Sequence, residues 1–245
     1  MIERYQPKPA FKSSKKTSAH SYVFEMLKND IISGIYNAGD KLPTEIELSQ
    51  TLSISRAATR EGLKALEGTG LITTVQGSKG GRFVKNVDSG VIKNGLDLLL
   101  QTQKASFEEL IEARKAIECL TARMAALNRT EENLTAMSEV LDLAGVDTEE
   151  YFSKMILDLH ELVALASQNM ILYYIVQAMR KLIKKTYARL SLKEHDVVLA
   201  TRNHQAIYDA IRNKNPDEAG KAMVLDIEAY RKIYLEIVLK QSSDD

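Results

Sequence analysis

Arg56 and Arg60 stand one helical turn apart in the segment Ser55-Arg56-Ala57-Ala58-Thr59-Arg60, about 6 Å along an α-helix axis. Arginine's planar fork matches guanine O6 and N7, or two phosphate oxygens, so two forks near a helix start suit nucleic acid. Further on, Gln76-Gly77-Ser78-Lys79-Gly80-Gly81-Arg82 joins glycines that permit close backbone approach to cations that suit phosphate. A second set of residues has different chemistry. Arg114, Glu118, His160, His204 and Asp226 are ionisable, yet each falls inside the apolar stripe of a helical segment. Buried charges need partners or a ligand. Singly, these residues read as core histidines bonded to backbone and an internal salt bridge. As a set they point to a polar pocket, with an Arg fork for a ligand carboxylate and with imidazoles and a carboxylate adding hydrogen bonds or a metal.

The elements that must position the first set are short. Ser18 to Ser33 has a helical apolar face of Tyr22, Val23, Met26, Leu27 and Ile31. Thr44 with Glu47 forms a capping box for a helix whose buried side is Ile46, Leu48 and Leu52. Ser53-Ile54-Ser55 makes a tight connection, and Ser55 caps a second helix from Arg56 to about Glu67, with Ala58, Gly62, Leu63 and Leu66 inward. Leu71–Val75 and Arg82–Val84 read as the strands of a hairpin, or wing. Two helices joined by a turn, the second offering cations from its N-terminal end, have the geometry that enters a DNA major groove.

The second set needs a bundle. After a linker at 85–89, helical segments are expected at 90–103, 106–128, 130–143, 148–167, 170–190, 194–214 and 216–241, joined by short connections that imply antiparallel neighbours. Arg114 and Glu118 interrupt the stripe of Phe107, Leu110, Ile111 and Ile117. His160 interrupts that of Phe152, Ile156, Leu159 and Val163, His204 that of Val197, Ala200, Ile207 and Ile211, and Asp226 that of Ala219, Met223, Tyr230 and Ile233. The fold class is therefore mainly α: a winged helix-turn-helix at 18–84, preceded by a polar mobile arm at 1–17, then an all-α bundle at 90–241.

Composition agrees. The 245 residues are 44% hydrophobic and 27% charged, as in a soluble globular protein, with no apolar run near the roughly 20 residues of a membrane span. One cysteine, Cys119, leaves no disulfide framework and no Cys-based zinc site. Net charge is zero, yet residues 1–88 carry 13 basic and 9 acidic side chains while 89–245 carry 20 and 24. A basic front on an acidic body fits DNA contact at one end. Cytoplasmic location is expected.

Leu42-Pro43-Thr44-Glu45, Glu47-Leu48, Ser55-Arg56, Arg60-Glu61, Leu63, Leu66, Gly70-Leu71, Gly77 and Gly80-Gly81 resemble the winged-helix domain of the GntR family of bacterial transcription regulators. Many members place an Arg where this chain has Ile46, so one usual DNA contact is absent. Glu112-Ala113-Arg114, Glu118, Leu159-His160, Ala166-Ser167-Gln168-Asn169 and the run His204–Ile211 resemble the ligand-sensing domain of the FadR subgroup. The resemblance implies a homodimer on a palindromic double-stranded DNA operator, with Arg56, Arg60, Thr44, Ser55, Thr59, Gly77, Lys79 and Arg82 at the DNA. It implies a small carboxylate effector near Arg114, Glu118, His160, His204 and Tyr208; Tyr173, Tyr174, Tyr187, Tyr208 and Tyr230 as cavity-lining rings would suit a sugar acid or other organic acid, and repression is the expected mode of action with activation left open. Many subgroup members hold the ligand through a divalent metal (Zn, Ni or Mn) on one Asp and three His, and others use none. Here the matching ligands are His160, His204 and Asp226, while Ile156 replaces the usual Asp and Asp226 the last His. A rival reading, a metal-dependent HD-type phosphohydrolase, rests on the order His160, His195-Asp196, Asp226.

Overall fold

The computed structural model describes residues 18–86, 88–142, 159–187 and 194–241. The expected arm at 1–17, Val87 of the linker, and positions 143–158 with Phe152 and Ile156 lie outside the described residues. The chain forms two compact units that meet between Val91 and Ile92.

The first unit contains α1 (Ala19–Ile32), α2 (Glu45–Leu52), α3 (Arg56–Gly68), β1 (Ile72–Val75) and β2 (Gly81–Val84). Ser18, Thr44 and Ser55 cap the three helices. At α2 the box is complete: the Glu47 amide donates to Thr44 Oγ1 and the Thr44 amide donates to Glu47 Oε2 at 2.7 Å. Ser53 ends α2 in the left-handed region (φ 54), which turns the chain sharply into α3. Gly62 is where α3 meets α1. A Cβ there would sit 2.7 Å from the His20 carbonyl oxygen and 2.8 Å from Val23 Cβ, so only glycine admits this approach. The hairpin is antiparallel, with Ile72 opposite Val84 and Val75 opposite Gly81, and the Leu42 amide donates to the Arg82 carbonyl along its edge. Val23, Leu27, Leu48, Leu52, Leu63, Leu66 and Ile72 form the core. This is a winged helix-turn-helix, as the sequence predicts.

The helical unit takes in α4 (Gly90–Gln101) from Ile92 on, then α5 (Phe107–Asn128), α6 (Glu131–Asp142), a helical stretch over 159–166 called α7, α8 (Met170–Tyr187), α9 (Glu194–Arg212) and α10 (Pro216–Gln241). Ser106 with Glu109 boxes the start of α5, Asn169 Oδ1 accepts from the Ile171 and Leu172 amides, and Asn215 Oδ1 accepts from Glu218. α10 packs on α5 and α9, and the pairs Lys115–Glu228 and Glu108–Arg231, both 2.6 Å, tie α5 to α10. Ile111, Ala122, Leu159, Val163, Ile183, Ile207, Ile211, Met223 and Ile227 fill the core. Helices α5, α7, α9 and α10 each turn part of the polar set into it. Among the described residues no helix is long and apolar enough to cross a membrane.

Candidate nucleic-acid face and buried polar cluster

In the winged unit, Arg56 is exposed at the first residue of α3. Arg60, one turn later, does not stand alone. Its Nε donates to Glu45 Oε1 and Oε2 at 3.2 and 3.1 Å, and its Nη2 donates to Oε1 at 2.8 Å. The hydrogen bond from Arg60 holds the Glu45 carboxyl below its ordinary range, against a smaller opposing push from burial. Glu45 carries no helix-period signal, because its partner lies across the turn on another helix. Sequence reading therefore gave it no role.

Thr44 and Ser55 are exposed, with hydroxyls already serving as caps. The expectation for Thr59 as a DNA contact is corrected. Its side chain is fully buried and its hydroxyl donates to the Ser55 carbonyl at 3.1 Å, so it braces the first turn of α3 from within. On the wing, Gly77 has a φ of +112, which favours glycine, and Lys79 is exposed nearby, while Arg82 is half-buried on β2 opposite Thr74. Ile46, expected on the buried side of α2 with Leu48 and Leu52, is instead exposed.

In the helical unit all five ionisable residues are buried. Arg114 Nε donates to Glu118 Oε1 at 2.6 Å, and His160 Nδ1 lies 2.6 Å from Glu118 Oε2. The other face of the same imidazole, Nε2, lies 3.1 Å from Asp226 Oδ2. His204 Nε2 is 3.6 Å from Asp226 Oδ1, too long for a hydrogen bond, and among the described residues neither ring nitrogen of this fully buried histidine has a hydrogen-bond partner. The two imidazoles meet edge to face, with centroids 5.4 Å apart. The chain of contacts is therefore Arg114, Glu118, His160, Asp226, His204.

Alternating signs make such burial tolerable. Burial alone would raise the Glu118 carboxyl, but the charges of Arg114 and His160 and their hydrogen bonds outweigh it and hold it at about 2. Burial would likewise raise Asp226, yet His204 and His160 pull it well below the ordinary carboxylate range. Burial lowers His160, and the two flanking carboxylates overcome it to raise the imidazole above its ordinary value.

The tyrosines divide. Tyr230, read in the sequence as part of the stripe that Asp226 interrupts, lies buried with the Arg114 guanidinium over its face at 5.9 Å, and burial raises its hydroxyl. Tyr208 is half-buried on α9 and stacks under Arg212 at 5.5 Å. Tyr173 donates to Glu161, which also accepts from Gln177 and Arg180. This second polar group between α7 and α8 went unread, because Glu161 follows His160 without marking a stripe. Among the described residues His195 is exposed and pairs with its neighbour Asp196, away from the cluster of His160, His204 and Asp226, so the metal-binding order of the phosphohydrolase reading does not assemble there.

His160, His204 and Asp226 fit a divalent metal on the chemistry of their donors. One ligand atom from each lies within 4.8 Å of the others, all are buried, and two nitrogens with one carboxylate suit Zn, Ni or Mn. Glu118 at His160 Nδ1 fixes the ring so that Nε2 is the nitrogen facing the site.

Residues 20–81 match the family described as bacterial regulatory proteins, gntR family, and residues 109–229 match the FCD domain. A Bacillus subtilis (strain 168) protein named as the uncharacterized HTH-type transcriptional regulator YcbG is 31% identical over 206 residues, spanning 84% of this chain and 85% of that protein. The chain belongs to the gntR family. Another Bacillus subtilis (strain 168) relative, the HTH-type transcriptional regulator LutR, is 30% identical over 206 residues, 81% of this chain and 91% of LutR. Streptococcus agalactiae GntR shares the fold, with a TM-score of 0.68 at 23% identity over 87% of this chain and 99% of that one. As a gntR-family protein with an FCD domain, the chain is a ligand-responsive DNA-binding transcription regulator, and these relatives are regulators, not enzymes.

Proposed function

We propose that this regulator acts as a homodimeric repressor of the FadR subgroup, gripping a palindromic operator and sensing a small organic or sugar acid. Arg56 and Arg60 read bases from the start of α3, while Lys79 and Arg82 follow the backbone; twofold symmetry of the protein would match that of the operator. The effector carboxylate is drawn to the cationic end of the buried cluster at Arg114, with Tyr230 beside it and Tyr208 further along α9.

The observation carrying the effector site is His204, wholly buried with neither ring nitrogen hydrogen-bonded among the described residues. A fully buried imidazole whose nearest charged neighbour is a long contact to Asp226 has donor and acceptor capacity that a metal or ligand would take up. His160, His204 and Asp226 would hold one divalent ion, which supplies a cationic centre for an acid. Names among the relatives support this class of effector-controlled operon. They include the Haemophilus influenzae Uxu operon regulator at 29% identity over 85% of this chain, the Escherichia coli (strain K12) Glc operon transcriptional activator at 28% over 89%, and the Klebsiella aerogenes HTH-type transcriptional repressor NanR at 29% over 82%.

A thermal-shift screen of small organic and sugar acids, run with Zn, Ni or Mn and again with chelator, tests the reading. A metal-dependent rise in melting temperature for one acid class, lost in His204→Ala, is the expected result. No rise with any metal or acid would remove the metal-and-acid site and leave the DNA-binding regulator.

A further inference from the structure

Glu45 is an odd residue to find on a face that meets DNA. A carboxylate there repels phosphate, and its neighbours are cations: Arg56, Arg60 and Arg82 all act on it through their charge. It is the first residue of α2, pinned by the Thr44–Glu47 capping box on the same turn, and its side chain is only 18% exposed while that of Arg60 is 56% exposed. The helix N-terminus would favour any carboxylate at this place. That favour does not explain why the carboxylate turns away from its own helix to clasp a guanidinium on α3.

The geometry of the clasp is specific. Glu45 takes the side of the guanidinium bounded by Nε and Nη2. Arginine has five N–H donors, and this contact uses Nε–H and one Nη2–H. The pair at the end of the fork, one N–H from Nη1 and one from Nη2, points onward. That pair has the spacing that meets guanine O6 and N7 together. Arg60 donates no other hydrogen bond among the described residues, and Glu61 acts on it only through charge, so the reading edge is open while the side chain is held.

We propose that Glu45 is a positioning residue that makes Arg60 a reader of guanine and not a general phosphate clamp. Two effects combine. The clasp fixes the plane and reach of the fork before DNA arrives, which reduces the ordering cost of a base contact. Its negative charge also cancels most of the attraction Arg60 would have for any phosphate, the interaction that drives sequence-independent binding. Glu45 thus gives up total DNA affinity and gains discrimination. This inference rests on the assignment of Arg60 to the major groove made above.

The test starts from duplexes selected by the purified full-length protein from a random-sequence pool. Affinity for a selected duplex and for a shuffled duplex of equal length is measured by fluorescence anisotropy for wild type, Glu45→Gln, Arg60→Ala and the double variant, with thermal unfolding of each. Glu45→Gln is expected to bind the shuffled duplex more tightly and to lose about tenfold or more of its preference for the selected one, with an unchanged melting temperature. In the Arg60→Ala background the same substitution should change the preference no further, because the partner it positions is gone. An unchanged preference in Glu45→Gln, or an equal loss with and without Arg60, overturns the proposal. If Arg60→Ala alone leaves the preference intact, the groove assignment fails, a different result from a silent Glu45→Gln.

Discussion

The two units each contain an Arg–Glu pair, and the pairs differ in almost every physical respect. Arg60–Glu45 joins two helices at a half-exposed surface, where water screens the charges, so the contact orients the fork while adding little to stability. Arg114–Glu118 spans one turn of a single helix, is almost wholly removed from water, and continues through His160 and Asp226 to His204. The same two side-chain types thus orient a reading group in one place and form an internal circuit in the other. The difference lies in desolvation. At the surface a partner can leave at little cost, whereas in the core the loss of one charge strands the next.

The largest effect should come from breaking the buried circuit. Glu118→Ala leaves Arg114 and His160 facing each other without their shared carboxylate, and should cost about 3–5 kcal/mol of stability in chemical denaturation. Glu45→Ala in the same assay should change the midpoint little. If the two substitutions were equally mild, the contrast between the pairs would collapse.

Next in size is the DNA side. Arg56→Ala combined with Arg60→Ala should weaken binding to a selected duplex by roughly a hundredfold while leaving the unfolding midpoint in place. A gel shift with unchanged affinity would mean that α3 is not the reading helix.

The pH dependence sharpens the comparison further. Glu118 is held at about 2 and Asp226 is also lowered. Their contribution to stability is therefore full above the unfolded carboxylate range near 4 and is lost as pH falls through the folded values. His160 is raised, so its contribution is full below its unfolded value of about 6.5 and fades as pH rises through the folded one. Chelator-treated protein should show greatest stability between those limits, and Glu118→Ala should flatten both slopes. The smallest effect belongs to Lys79→Ala on the wing, which should reduce the salt slope of DNA binding by about one with no change in sequence preference.

How far these features were legible in the sequence follows from where their signals lie. Caps and periodicity are local, so Thr44, Ser55 and the stripes around Arg114 and His204 marked the helices within a few residues of where they occur. Burial of the five ionisable groups was also readable, because a charge inside an apolar stripe has nowhere else to face. Order within the cluster was not: that His160 sits between two carboxylates depends on how α5, α7 and α10 are packed. Glu45 escaped for the same reason, since its partner is fixed by tertiary geometry. Thr59 was misread because the inward face of a short helix with a close Gly62 contact is wider than Ala58, Leu63 and Leu66 alone suggest.

The central claim is that occupancy of the buried cluster is coupled to DNA affinity. Anisotropy titration of a selected duplex, without and with a saturating concentration of an acid that stabilises the protein, measures that coupling directly. A change in Kd of about 5- to 150-fold is predicted, with the duplex shifting the acid's affinity by the same factor; identical Kd values with the acid bound would contradict the account.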